Sequence, residues 1–338
     1  MTDPIALFKD SPFLTPDPTC EQKHRVLSAG ILFADVGCVP VDRCPAPGEL
    51  VPTEGIELSL GGCASNLAMN LARLGIRSGL CGMVGDDSFS DFIIRALEHP
   101  LIDTSGLARM PNACPGTTLI VNVKGEDRRF ISTTGANVGF STADIPAAWA
   151  REAEVIYLGG YLMMPKLESP ETAEFLKAFQ ARGGKTILDV VLFGDRPYWD
   201  AVRPLLPYVD YFMPNDHEGE RISGLADPID QARFFLDAGC GAVVITCGES
   251  GSIYYSANER FKTGIFNVEF VGGTGSGDAF AAGFAAGLLD RLSPVDLMKR
   301  ASAQGASAVR HSSATASVFN RQQLDAFLAE NTLSVEQL

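Results

Sequence analysis

Basic side chains are in short supply. The 338-residue chain carries 27 Lys and Arg against 41 Asp and Glu, a formal net charge of −14. That balance argues against a nucleic-acid partner or an anionic membrane surface, although a small anion can still bind at a local nest of backbone N–H groups. Histidine is also sparse, and the four residues at 24, 99, 217 and 311 are too scattered along the chain for a metal site. No two of the eight cysteines form a C-x-x-C pair, so reduced thiols in a cytoplasmic protein are the expectation. There is no basic segment followed by an apolar run at the N-terminus and no uncharged apolar stretch long enough to span a bilayer. Internal repeats and low-complexity tracts are absent as well.

What is present is ample material for a core. A hydrophobic content of 46% over this length suits one large α/β domain or two unequal ones. Residues 1–24, with Pro4, Pro12, Pro16 and Pro18, read as a loose arm, and residues 331–338 as a C-terminal tail. From Gly79 onward, strand-like and helix-like stretches alternate: Gly79 to Val84, Phe89 to Leu97, Val155 to Leu158, Glu171 to Ala181, Thr186 to Val191, Tyr208 to Met213, Pro228 to Ala238 and Ala242 to Cys247. This rhythm predicts a mostly parallel sheet covered by helices on both faces. Arg25 to Val36 reads as one buried first strand ending at Asp35, whose carboxylate would face a ligand crevice or serve a turn. Alternating stretches within about 39–60 and 117–132 predict a small β-sheet flap outside the main sheet, with Gly125-Glu126-Asp127 as a hairpin turn.

Chemistry concentrates in Val271 to Gly283, a glycine loop running into an apolar helix. Gly272, Gly273, Gly275 and Gly277 precede Asp278, and the loop aims unpaired N–H groups at one point, a ready anion site. Asp278 is either a helix cap or a general base beside that nest. A cap needs one Asp and no glycines, so the glycine density favours the base. A dinucleotide-binding fingerprint fails because Phe280 stands where its third glycine should be, and Gly184 to Thr186 lacks the leading glycine of a P-loop.

Three other segments carry candidate residues. Gly61 and Gly62 open a helix reaching Gly75, and Asn66 near its start is a cap or a ligand for a polyol. Asn215 and Glu218 are either a capping box or a cluster serving magnesium and phosphate. Thr246 to Gly251 is a hairpin turn or a wall for a nucleotide, and Gly135-Ala136-Asn137 is a turn near the same ligand.

Together these motifs resemble those of the ribokinase-like (PfkB) carbohydrate and nucleoside kinases. Gly61, Gly62, Asn66, Ala68 and Gly75 are similar to that family's N-terminal signature; Gly275, Ser276, Gly277 and Asp278 to its G-[AS]-G-D; Asn215 and Glu218 to its N-x-x-E. The resemblance runs from about Val26 to Phe327. It implies a three-layer α/β sandwich over residues 25–330 with the flap as lid, and ATP-dependent transfer of a phosphoryl group to a hydroxyl of a sugar-like small molecule. A nucleoside kinase and a non-catalytic binding protein on the same fold are the alternatives. By the same resemblance Asp278 would be the base, and Gly275, Ser276 and Gly277 the anion hole. Asp35, Gly61, Gly62, Asn66 and Asn137 would grip the sugar; Thr246, Gly248 and Gly251 would lie along ATP; Asn215 and Glu218 would organise Mg2+ through water. The exposed face of the flap suits a homodimer. Gly272 and Gly273 stand where relatives carry Asp-Thr, which speaks against activation by a monovalent cation, and Gly159-Gly160-Tyr161 replaces a sugar-binding Glu, which disfavours ribose.

Overall fold

The computed structural model describes residues 24–126, 129–311 and 313–338. The N-terminal arm, apart from His24, lies outside the described residues, as do Asp127 of the expected hairpin turn and Ser312.

β1 (Val26–Gly30) is buried along its length, and only Ile31 and Leu32 separate it from β2 (Phe33–Cys38), which belongs to another sheet. β3 (Ile56–Gly61) returns beside β2 and leads into α1 (Cys63–Arg73). β4 (Ser78–Val84), α2 (Ser88–Ala96) and β5 (Ile102–Arg109) follow, then β6 (Gly116–Val121) and β7 (Arg129–Thr133). The chain continues through α3 (Ala147–Glu152), β8 (Val155–Gly159), α4 (Pro170–Ala181), β9 (Lys185–Leu188), α5 (Trp199–Val202), β10 (Tyr211–Phe212), α6 (Asp216–Ser223), α7 (Pro228–Asp237) and β11 (Ala242–Thr246). β12 (Ser252–Ser256), β13 (Arg260–Thr263), α8 (Ser276–Leu289), α9 (Pro294–Ala308), α10 (Arg321–Glu330) and β14 (Val335–Gln337) complete it.

The main sheet runs β14-β13-β12-β11-β10-β9-β8-β1-β4-β5. From β5 to β11 neighbours are parallel, and β12, β13 and β14 add an antiparallel edge. The smaller sheet, the flap, runs β3-β2-β6-β7, antiparallel except for the parallel pair β2 and β6. Helices start where polar side chains satisfy their first N–H groups: Asp87 accepts from Ser90, Asp227 from Ile229 and Asp230, and Ser293 from Asp296. α8 is almost wholly buried and lies against both α1 and α9. Its Ala and Gly residues are small enough to admit both neighbours. Among the described residues, no helix is long and apolar enough to cross a membrane.

Four expectations need correction. Arg25 to Val36 is two strands, because the backbone leaves the main sheet at Ile31, whose N–H bonds to Gly159, and enters the flap at Phe33. Asp35 is therefore a flap residue. Only Ile56–Gly61 of the 39–60 stretch pairs as a flap strand, and only Tyr211–Phe212 of the 208–213 stretch pairs in the main sheet. The tail is structural: β14 extends the main sheet through Thr263↔Val335 and Phe261↔Gln337.

The two faces of the flap differ in chemistry. Ser59, Asp35, Thr118 and Ser132 are paired in register across the four strands, and so are Leu58, Val36, Leu119 and Ile131 one step along. Opposite partners share a face and successive residues alternate, so one face carries a polar row and the other an apolar row.

Candidate active site

Two helix starts face each other. α1 begins after Gly62, whose φ of 92° favours glycine and whose side-chain position is filled by Ile31 and Leu32 backbone. Asn66 lies in the first turn of α1, 4% exposed, and its Nδ2 donates to Asp278 Oδ2 at 2.8 Å. Neither residue caps its own helix. α1 has Gly62 at its N-cap and α8 has Gly275, both without a side-chain bond. The capping readings of Asn66 and Asp278 therefore fail, and the Asp278 carboxylate is bound instead by Asn66 from the facing helix.

The loop before α8 is held from two sides. Gly275, at φ 76°, sits against Ala314, whose Cα would lie 2.6 Å from a Cβ placed there. Ser276 Oγ donates to Gly273 O at 2.9 Å. Within the first turn, the N–H groups of Gly277 and Asp278 have no intrahelical acceptor, and they add to the positive end of the α8 dipole. The helix start and the Asp278 carboxylate thus share one turn.

Acidic groups crowd this turn. Burial raises Asp278 above the usual carboxylate range, with Asn66 and the Cys63 thiol opposing the rise. Asp35 is pushed up to about 6 by burial, with Asp278 adding and a Thr118 hydrogen bond opposing. The Asp35 carboxylate fills the space where Gly61 lacks a side chain, so Gly61 is held for close approach. Asp189, just past β9, is pushed up to about 7 by burial and by Asp278, against the Gly160 N–H that donates to it at 3.1 Å. Cys63 and Tyr157 are buried beside Asp189, and burial first and these carboxylates second raise both well above their ordinary values. Asp189, Cys63 and Tyr157 were not singled out from the sequence as site residues. The signal for Asp189 was available, since it is an acid at the carboxyl end of a parallel strand.

Asn215 and Glu218 form a complete capping box on α6: Asn215 Oδ1 accepts from Glu218 N at 2.8 Å, and Glu218 Oε2 accepts from Asn215 N at 2.9 Å. The cap does not remove Glu218 from the cluster. Burial, then Asp189, push it up to about 8, with Asp278 contributing. A backbone bridge between Asn215 and Thr246 brings the end of β11 alongside. Gly248 and Gly251 form the hairpin turn between β11 and β12, and Gly251 lies against Thr263 O and Gly264 O. Asn137 departs from its expected role. It is 0% exposed and its carboxamide is committed to Leu32 and Thr134, so it has no free group for a substrate.

Among the described residues, no group of three or more His, Cys, Asp or Glu is arranged to hold a metal ion directly. The oxygens of Asn215 and Glu218 would suit a hard divalent cation that keeps most of its waters. His24 pairs with Asp103 and packs on Trp149, where β5 begins, as a structural contact.

Known proteins share this fold. The profile of the pfkB family carbohydrate kinases matches residues 23–321. The 2-dehydro-3-deoxygluconokinase of Bacillus subtilis is 30% identical over 83% of this chain and 90% of its own. An Arabidopsis thaliana ribokinase complexed with ribose and ATP superposes with a TM-score of 0.79 at 22% identity, covering 90% of this chain and 99% of that one. An E. coli structure in complex with ATP and Mg2+ superposes with a TM-score of 0.77 at 22% identity, covering 91% and 100%. With its large parallel sheet, its flap and its glycine loop before α8, the chain belongs to the pfkB family carbohydrate kinases.

Proposed function

We propose that this carbohydrate kinase moves the γ-phosphoryl group of ATP to a primary hydroxyl of a neutral sugar or sugar-like small molecule, with residues 25–330 and the strand β14 acting as one unit. The reading rests on the placement of Asp278, a carboxylate held by Asn66 in the same helical turn as unpaired backbone N–H groups.

The hydroxyl of the acceptor donates to Asp278 and loses its proton to it as the oxygen attacks the γ-phosphorus. The bond to the bridging oxygen breaks, and ADP leaves with the electron pair. Negative charge on the equatorial oxygens of the transferring group meets the N–H groups of the Gly275-Ser276-Gly277 turn other than that of Ser276, which is bonded to Gly273 O, and the positive end of α8. Asp35 and Asn66 orient the other hydroxyls, since each offers hydrogen-bonding atoms beside Gly61 and Gly62. Thr246, Gly248 and Gly251 form the wall along the nucleotide. A magnesium ion on the ATP phosphates would be met through water by Asn215 and Glu218, and when bound it supplies charge neutralisation.

The flap carries its polar row with Asp35 on the site side, and it excludes water that would otherwise accept the phosphoryl group. Its apolar row faces away, as an interface for a second copy of the chain requires. The acids Asp35 and Asp189 favour an acceptor without a carboxylate, because no Lys or Arg among the described residues offsets either of them. The deciding experiment is ADP release from MgATP across pentoses, hexoses, keto-sugar acids and nucleosides. Stimulation by a neutral sugar supports the reading, and stimulation by nucleosides alone would replace it.

A further inference from the structure

Leu32 stands between two sheets. It follows β1 and precedes β2, and it is 0% exposed, so its N–H and C=O both need partners outside the ladders. One side chain supplies both. Asn137 Oδ1 accepts from Leu32 N at 3.0 Å, and Asn137 Nδ2 donates to Leu32 O at 3.0 Å. The second hydrogen of the same Nδ2 goes to Thr134 O, also at 3.0 Å, immediately after β7. Gly116, which opens β6, packs on this carboxamide: a Cβ there would stand 2.5 Å from Nδ2 and 2.6 Å from Leu32 O. The fourth strand joins at Gly62, where a Cβ would stand 2.8 Å from Leu32 Cα.

All four flap strands are therefore rooted around one buried amide. Asn137 lies within the short helical turn Gly135–Gly139, outside the flap, so it ties the flap to the main body. From Leu32, β2 runs directly to Asp35, whose carboxylate enters the site. We propose that Asn137 is a positioning residue for phosphoryl transfer: it sets the angle at which the flap leaves the main sheet, and so the place of Asp35 over Asp278 and the exclusion of water. The role in transfer rests on the kinase reading above, whereas the clamp itself rests on the hydrogen bonds alone.

Two variants disturb the clamp by independent routes. Asn137→Asp keeps one acceptor and removes both donors, turning carboxylate oxygen towards two carbonyls. Gly116→Ala keeps the carboxamide and pushes a methyl group into it. Hydrogen–deuterium exchange on the unliganded full chain should show amides of β2, β6 and β7 opening roughly tenfold faster in both variants, with β8, β9 and β11 unchanged. With the acceptor selected by the ADP-release panel, the acceptor KM should rise about tenfold while the KM for MgATP stays within about twofold. ADP release without acceptor, relative to transfer, should rise about fivefold as water enters.

Unchanged flap exchange in folded variants overturns the clamp. Faster flap exchange with unchanged acceptor KM and unchanged leak overturns the positioning role. If Asn137→Asp does not fold, Gly116→Ala carries the same measurements. A wild-type chain that transfers phosphate to no acceptor defeats the kinase reading, and the exchange experiment then decides the clamp separately.

Discussion

Asn66 Nδ2 donates to Asp278 Oδ2 at 2.8 Å, joining the first turns of two helices 212 residues apart in the chain. One donor thereby steadies a buried carboxylate that burial alone would tend to protonate. The bond also couples the two glycine signatures, since each brings one partner. The same contact fixes the position of the Asp278 carboxylate and favours its ionised form.

Asp278→Asn should leave the start of α8 intact and remove the proposed base. Turnover is expected to fall by about 10³-fold or more while MgATP binding changes little. Steady-state rates and calorimetric titration with nucleotide check both halves. A variant with near-normal kcat would remove Asp278 from the mechanism.

Asn66→Ala removes a hydrogen bond to the ionised form of Asp278. The carboxyl pKa then rises further, so the acid limb of the kcat/KM profile should move about one unit to higher pH. A pH profile of unchanged position with a uniformly lower rate would restrict Asn66 to holding substrate.

Asp189→Asn should stabilise the unliganded protein, and more so at higher pH. Folding raises Asp189 to about 7 and Glu218 to about 8, so the folded state keeps protons that the unfolded chain releases near pH 4. Stability is therefore lost as pH rises from about 4 to about 8, as the folded state is forced to ionise. Replacing Asp189 removes one buried charge and relieves Glu218. Thermal melts should gain about 3 °C or more at pH 8.5 and little at pH 4.5; equal gains at both would show a packing effect instead.

Potassium should change the rate less than about twofold, because Gly272 and Gly273 offer no carboxylate where relatives hold the ion. Titrating KCl against a sodium control measures this. Strong activation would show that other oxygens build such a site.

Leu119→Asp places a charge in the apolar row of the flap beside Val36 and Ile131. If two copies meet on that face, sedimentation should show a dimer for the unaltered chain and a monomer for the variant. A monomer in both cases would leave the row exposed in solution and remove the dimer.

Much of the molecule was legible because its signals are local. Helix α1 follows its Gly62 start and Gly75 stop, α4 and α7 their apolar spacing, and the glycine loop before Asp278 marks the start of α8. The parallel rhythm of strands and helices likewise needs only the sequence. The remainder depended on partners far along the chain. Apolar residues from Val26 to Phe33 read the same whether they stay in one sheet or cross to another, and only the bonds of Ile31 to Gly159 and of Leu32 to Asn137 decide the crossing. Asn137 looks polar and available in a turn, yet its amide is spent on backbone that no local pattern could bring to it. Asp189 acquires its raised pKa from burial and from Asp278, and Glu218 from burial and from Asp189, a property of the assembled cluster. Sequence by itself determined the alternation of strands and helices and the place of the glycine loops, since these follow from neighbouring residues. Only the tertiary structure decided which sheet holds Asp35, what Asn137 grips and which acids share one space, because non-local contact and desolvation exist only once the chain has folded.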